Sequence, residues 1–280
     1  MKSGNSTSAV DAWLVGDWSA GEFQSLRSEI TEFKDLLALE SIHDSQRLIE
    51  DQNSAPELLL VALPRPGAIA QSDVDALARR SPLTRIVIVA GTWCEGELRT
   101  GRPLTGVVRL PWYELPTWWR AAQVALAAGK SPPWSVALDN PLAGREIAEP
   151  TKPALRSGHV IVDSVDHAVF AALSTALSPY GLFCQWQPRH RRERWRSAPD
   201  QDCAVAIWDG SQLDANELSN LEAFAERMRE HGVPVIALLD FPRVEHVELT
   251  REIDVVEVIA KPYQVAGLVQ TIDRLGPLRG

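Results

Sequence analysis

Ala204-Val-Ala-Ile-Trp-Asp209 and Val256-Glu-Val-Ile-Ala-Lys261-Pro262 are the two stretches that decide how this sequence folds. Each is a short, largely apolar run rich in Val and Ile, and the first ends in an acidic residue and the second in a Lys-Pro pair. Such runs are typical of strands in parallel sheets, because helices cover these sheets on both faces. The two stretches therefore predict buried parallel strands in an α/β domain.

Apolar strands alternate with amphipathic helices along the whole chain, in two successive halves. The predicted strands cover residues 12–15, 36–39, 57–63, 85–90 and 106–110, then 160–162, 183–186, 203–208, 235–239 and 255–259. The predicted helices cover residues 22–34, 45–51, 72–80 and 115–128, then 166–177, 215–230 and 264–275. Five strands with intervening helices in each half predict two open, doubly wound sheets.

The length of 280 residues suits two domains, each with its own core. Between the two repeating halves, residues 131–157 are rich in Pro and lack hydrophobic periodicity. This composition is typical of a semi-rigid linker. We therefore predict a first domain at residues 1–130, a linker at 131–157 and a second domain at 158–280.

The second half resembles the receiver domains of two-component signalling. In that family, acidic residues after the first strand hold Mg²⁺ beside an aspartate that ends the third strand, and a Lys-Pro pair ends the fifth. Asp163, Asp209 and Lys261-Pro262 match these positions. The resemblance implies a flavodoxin-like fold with strand order 2-1-3-4-5, helices on both faces, and Asp209 as a candidate phosphoacceptor. It also implies that Asp163 and Asp209 could hold Mg²⁺, the one cofactor considered, while Lys261 would contact the phosphate.

Several positions depart from the family pattern. Ser164 replaces the second acid, and Leu239 stands where a switch hydroxyl is expected. In the first half, Ala62 and Leu110 replace the phosphoacceptor and the lysine, which leaves no route for phosphoryl transfer. The leading hypothesis is a non-enzymatic signalling or scaffolding protein built from tandem pseudo-receiver domains, acting through protein contacts. The alternative is a phosphorylatable receiver with Asp209 as the acceptor.

The loops after the fourth and fifth strands of the first half carry many aromatic and charged residues. Aromatic and Arg enrichment is the composition of interface hot spots. One interpretation is a docking surface for a protein partner or a second copy of the chain. A second is that the aromatics pack under a long loop held by ion pairs, and a third is a small-molecule binding module. The candidate residues are Trp93, Glu95, Glu97, Arg99, Arg102, Trp112 and Tyr113.

Bulk composition excludes some classes of function. A net charge of -9 argues against nucleic acid as the main partner, and the basic run at 189–196 is predicted to be solvated or paired with acids. The apolar runs are much shorter than the roughly 20 residues that span a bilayer. No signal peptide is visible, so a cytoplasmic location without membrane contact is expected.

Overall fold

The computed structural model describes residues 11–19, 21–30, 36–52, 54–135, 144–145, 158–189 and 203–275. The chain divides into two compact units, Met1–Ala148 and Glu149–Gly280, and each is described by itself. Within the described ranges, no helix is both long enough and apolar enough to cross a membrane.

The first unit is a parallel five-stranded sheet with the order β2-β1-β3-β4-β5, as predicted. All residues of the central strand β3 are buried, and Leu59, Val61 and Leu63 pack with side chains of α2 and α3. The helices α1 and α5 contact each other. The element α4 has only four residues. The elements are β1 Ala12–Val15, α1 Gly21–Ile30, β2 Leu37–Leu39, α2 Ile42–Gln52, β3 Leu58–Leu63, α3 Gln71–Arg80, β4 Arg85–Ala90, α4 Glu97–Thr100, β5 Val108–Pro111 and α5 Leu115–Ala127.

Part of the predicted linker belongs to the first unit. Trp134 is fully buried, and its ring centroid lies 5.4 Å from that of Trp118 and 6.0 Å from that of Trp119. Its indole N–H donates a hydrogen bond to Glu57 Oε1 at 3.1 Å. The Pro-rich composition around Trp134 predicted a linker. The segment packs against the first unit nevertheless, because burying a Trp side chain removes a large apolar area from water. Residues 136–143 and 146–157 of the predicted linker lie outside the described residues.

The second unit is a parallel five-stranded sheet with the order β10-β9-β8-β6-β7. Read from β7, and with the strands numbered from the first strand of this unit, the order is 2-1-3-4-5. The predicted order is therefore confirmed in both sheets. The elements are β6 Gly158–Ser164, α6 His167–Leu177, β7 Leu182–Pro188, β8 Cys203–Asp209, α7 Ala215–Glu230, β9 Val235–Asp240, α8 Val244–Glu252, β10 Val255–Lys261 and α9 Val265–Leu275.

The helix α8 was not predicted from the sequence. Thr250 is its buried residue, and its apolar side chains are exposed or only half-buried. A helix with so little apolar surface against the core leaves no clear 3.6-residue periodicity. It lies between β9 and β10.

Candidate functional site

The carboxylate of Asp209 lies at the end of β8, among the ends of three neighbouring strands. Its Oδ1 atom accepts a hydrogen bond from Lys261 Nζ at 3.0 Å. Its Oδ2 atom accepts a hydrogen bond from Ser164 Oγ at 2.7 Å. The structure thus brings into contact two of the three residues predicted at this edge, Asp209 and Lys261. It also shows that each carboxylate oxygen accepts a hydrogen bond from the protein.

Lys261 connects the ends of β8, β9 and β10. Besides Asp209, its ammonium group contacts the main-chain carbonyl of Gly210 and lies 3.4 Å from Asp240 Oδ1. Tyr263 follows closely, and its phenol has a pKa raised to about 12 by burial and, to a smaller extent, by the negative charge of Asp209. The phenol is therefore neutral at ordinary pH, and Lys261 is the cation that faces Asp209.

Asp163, the predicted metal ligand, is buried and bound to an arginine. Arg189 Nε donates to Asp163 Oδ1 at 2.7 Å, Nη1 donates to Glu217 Oε1 at 2.9 Å, and Nη2 donates to the main-chain carbonyl of Asp209 at 2.7 Å. The guanidinium carbon lies 3.5 Å from the ring centroid of Trp208, whose indole N–H donates to the same Glu217 oxygen at 3.1 Å. One arginine therefore connects two carboxylates, one carbonyl and one aromatic face.

These residues do not fit the Mg²⁺ ion that the resemblance implies. Mg²⁺ needs carboxylate oxygens that are free to coordinate it. Arg189 binds Asp163, and the hydroxyl of Ser164 binds Asp209 where a second acid was expected. In the part of the chain that the structure describes, no group of three or more His, Cys, Asp or Glu side chains is placed to hold a metal.

Arg189 and Glu217 were not recognised as site residues from the sequence. Arg189 was assigned to the basic run at 189–196, of which residues 190–196 lie outside the described residues. Its position directly after β7, at the carboxyl end of a parallel strand, was the available signal. Glu217 is in the first turn of α7, where an acidic residue is also explained by the helix dipole.

The loop after Asp209 packs closely against Leu239. A Cβ atom added to Gly210 would lie 2.8 Å from Leu239 Cδ2 and 3.0 Å from Trp208 Nε1. Leu239 is fully buried. The residue in the position of the expected switch hydroxyl is therefore part of the core, and a Cβ atom at position 210 would have to displace neighbouring side chains.

In the first unit, a buried ion pair lies between β5 and α4. Arg109 Nη2 donates to Glu97 Oε2 at 2.6 Å, and the two side chains are 8% and 7% exposed. Among the described residues, Arg109 Nη1 has no hydrogen-bond partner. Glu97 was predicted to belong to a partner or ligand surface. The structure places it inside the unit, paired with Arg109, where it also lines the cavity described below.

Cys94 is a packed thiol in the same region. Its Sγ atom donates to the main-chain carbonyl of Leu63 at 3.3 Å. Burial raises the pKa of Cys94, and the opposing effect of nearby Arg109 is smaller. A protonated, buried thiol is a poor nucleophile. This geometry gives Cys94 a structural position.

The other residues of the predicted docking surface divide into two groups. Trp93 is 80% exposed, and Glu95, Arg99 and Arg102 are also exposed. Trp112 is buried. Tyr113 is half-buried, and burial followed by the charge of Glu95 raises its pKa. The predicted surface is therefore reduced to Trp93 and its charged neighbours. Trp112 and Tyr113 pack wholly or partly inside the unit.

A cavity of about 420 Å³ lies between the end of β3 and the loop that precedes β5. Leu63 and Leu104 contribute apolar walls, and Glu97 and Arg102 contribute charged groups. Because α4 has only four residues, a loop covers this side of the sheet. Mostly apolar cavities of a few hundred Å³ with few polar groups are typical of small-molecule sites.

No protein-family model and no curated protein matches the sequence. The chain is similar to a response regulator receiver protein from Pseudoalteromonas atlantica at 18% identity, with 42% of this chain and 95% of that chain covered and a TM-score of 0.36. It is also similar to a response regulator from Thermotoga maritima at 17% identity, with coverage of 43% and 98% and a TM-score of 0.35. A third similar structure is named as a two-component system response regulator/GGDEF domain protein. The match covers 94% of this chain and 97% of that chain, at 13% identity and a TM-score of 0.38. The strand order observed in both sheets fits two receiver-like domains in tandem.

Proposed function

We propose that this chain is a receiver-like signalling or scaffolding protein that acts through contacts with other proteins and does not transfer phosphoryl groups. The observation that carries the proposal is the bonding of Asp209. A carboxylate that attacks phosphorus needs a free oxygen and a metal ion that neutralises the donor. Ser164 and Lys261 each donate a hydrogen bond to one oxygen of Asp209, and Arg189 binds the Asp163 carboxylate, so these two acids are not free to hold the metal ion.

The exposed residues of the first unit supply a surface for such contacts. Trp93 lies on the loop after β4, and Leu98, Arg99 and Arg102 are exposed in the following segment. An exposed Trp beside arginines is the composition that dominates binding energy in protein interfaces. The partner is a protein, and a second copy of the chain is the simplest case.

Beryllofluoride with Mg²⁺ tests the absence of phosphoryl chemistry, because it mimics an acyl phosphate on a competent aspartate. We expect no saturable change in the NMR spectrum or in the thermal midpoint of unfolding at millimolar ligand. The control variant Asp209→Ala should behave in the same way as the wild type toward the ligand. Saturable binding that Asp209→Ala abolishes would show that Asp209 is a phosphoacceptor, and the alternative function would then replace the proposed one.

Sedimentation velocity tests the contact surface. If copies of the chain pair through this surface, Trp93→Ala should weaken their association by about tenfold or more, the size of a typical hot-spot loss. Leu83→Ala is the matched control, because Leu83 is also a large exposed apolar residue but lies between α3 and β4. Equal association of the wild type and both variants would remove this surface from self-association.

The cavity of the first unit favours a second candidate function, the binding of a small molecule with an apolar body. Native mass spectrometry of the protein from its own cells would detect a retained ligand as added mass. Leu104→Trp narrows the cavity, and Leu83→Trp adds the same side chain outside it. Retention of the added mass in Leu104→Trp, or its absence from the wild type, would count against this function.

A further inference from the structure

We infer that Arg189 takes the place of a divalent metal ion in the second unit. Its guanidinium binds the oxygens around Asp209, so the pocket is stable without metal. The inference deepens the proposed function and rests on it for the inertness of Asp209. Both use the contact between Arg189 and Asp163, but the metal position involves the main-chain oxygen of Asp209, whereas phosphoryl transfer would require the Asp209 carboxylate.

The three oxygens that bind Arg189 are of the chemical types that bind hard cations. Asp163 Oδ1, Glu217 Oε1 and the carbonyl oxygen of Asp209 lie 2.7, 2.9 and 2.7 Å from three different nitrogens of the guanidinium. Carboxylate and carbonyl oxygens are the ligands that Mg²⁺ and Ca²⁺ take in proteins. Here the same oxygens converge on a planar group with donors in fixed directions.

Burial makes the guanidinium and a metal ion mutually exclusive. The side chains of Arg189, Asp163 and Glu217 are 11%, 4% and 15% exposed. A divalent ion at these oxygens would lie within a few Å of a positive charge in a poorly solvated site, where like charges repel strongly. The ion can enter only if Arg189 leaves.

Trp208 shapes the pocket for the guanidinium. Its buried ring lies under Arg189 at 3.5 Å, which is a cation–π arrangement. Its indole N–H fixes the Glu217 oxygen that Arg189 also uses. Mg²⁺ takes oxygen ligands and gains nothing from an aromatic face, whereas a guanidinium is attracted to it. The Trp208 ring therefore favours binding of the arginine. The pocket therefore has a permanent counter-charge supplied by the chain at the end of β7.

Titration with Mn²⁺ tests the inference, because this ion broadens the NMR signals of nearby nuclei. The wild type should show no saturable broadening at the ends of β6 and β8, and Mg²⁺ or EDTA should not change its thermal midpoint of unfolding. Arg189→Gln should unfold at a lower temperature and should gain saturable Mn²⁺ broadening at these strand ends. At ten times the Kd, Mg²⁺ should shift the folding equilibrium of this variant by about tenfold.

Two further variants make the result specific. Asp163→Asn combined with Arg189→Gln should lose the response to metal, because one charged ligand is gone. Asp209→Asn combined with Arg189→Gln should keep it, because the ligand there is the main-chain carbonyl. Arg243→Gln removes an exposed arginine outside the pocket and, like the wild type, should show no saturable Mn²⁺ broadening at these strand ends.

Specific outcomes would overturn the inference. Saturable Mn²⁺ binding by the wild type at Asp163 would show that Arg189 does not exclude metal. A folded Arg189→Gln variant without Mn²⁺ binding would show that the three oxygens are not a cation site. If Arg189→Gln does not fold alone, recovery of the fold by Mg²⁺ supports the inference and failure to recover it is a contradiction. None of these results depends on beryllofluoride, which tests the proposed function separately.

Discussion

Lys261 Nζ lies 3.0 Å from Asp209 Oδ1, and this contact joins the end of β10 to the end of β8 across β9. The two side chains are 27% and 10% exposed, so the pair is largely shielded from water. Such a pair stabilises the strand ends mainly because an unpaired buried carboxylate would be costly. The contact gives the two residues a structural role that does not require phosphate.

Lys261→Met should lower the free energy of unfolding of the second unit by about 1–3 kcal/mol, because Asp209 loses its charged donor. Urea unfolding followed by hydrogen exchange in β8 measures this loss. Arg229→Met is the matched control, because it breaks an exposed ion pair of 2.8 Å with Asp254 and should cost about 0–1 kcal/mol.

Adding Asp209→Asn to Lys261→Met should recover part of the loss, since the buried charge is removed together with its partner. Equal losses in Lys261→Met and Arg229→Met would mean that the pair at the strand ends is no stronger than a surface contact.

Local patterns in the sequence were sufficient to predict the two sheets. Apolar runs marked each strand, and strands such as Arg85–Ala90 were predicted with the observed bounds. The proximity of Asp209 and Lys261 followed from the same pattern, because parallel strands end at one edge of the sheet. These features depend on short stretches of sequence, and the hydrophobic pattern within each stretch is enough to predict its strand.

The binding of Arg189 by Asp163 and Glu217 could not be predicted in this way. Glu217 lies 28 positions from Arg189, and Asp163 lies 26 positions from it. Only the folded arrangement brings the three together, and a charge on a loop otherwise predicts a solvated side chain. The burial of Glu97 was missed for the same reason, since its partner Arg109 is on a different element.

Glu97→Gln should destabilise the first unit by about 3–5 kcal/mol, the usual effect of leaving one charge of a buried pair without its partner. Arg109 Nη1 already has no partner among the described residues, so the guanidinium has little to compensate the loss. The free energy of unfolding of this unit is the quantity to measure. Arg80→Met, which breaks an exposed pair with Glu50, is the control and should change it by less than about 1 kcal/mol. A small effect of Glu97→Gln would instead agree with a surface role.

Trp134→Ala should destabilise the first unit by about 3–5 kcal/mol, as expected when a buried aromatic side chain is removed. Trp93→Ala is a control with the same chemical change at an 80% exposed position, and it should stay within about 0.5 kcal/mol of the wild type. Urea unfolding of the first unit compares the two variants. Similar values for both would show that residues near Trp134 act as a linker after all.

His246 should make the stability of α8 depend on pH. Its Nδ1 atom accepts a hydrogen bond from the main-chain N–H of Arg243 at 3.2 Å, in the first turn of the helix. Burial, and then the charge of Arg243, lower the pKa of His246 below its ordinary value of 6.5, against a smaller opposing effect of Glu245. The unfolded chain therefore binds a proton before the folded chain does. The contribution of His246 to stability is complete above 6.5 and is lost as the pH falls through the lower pKa of the folded state.

His246→Gln is the variant that isolates this effect, because a Gln side chain in the first turn can also accept from the main-chain N–H but does not titrate. Between about pH 7.5 and about pH 5, the thermal midpoint of the wild type should fall further than that of the variant. Taking the difference removes the contribution of all other titrating groups, which the two proteins share. Parallel pH profiles would show that folding does not lower the pKa of His246, and protonation of the imidazole would then have no effect on the stability of α8.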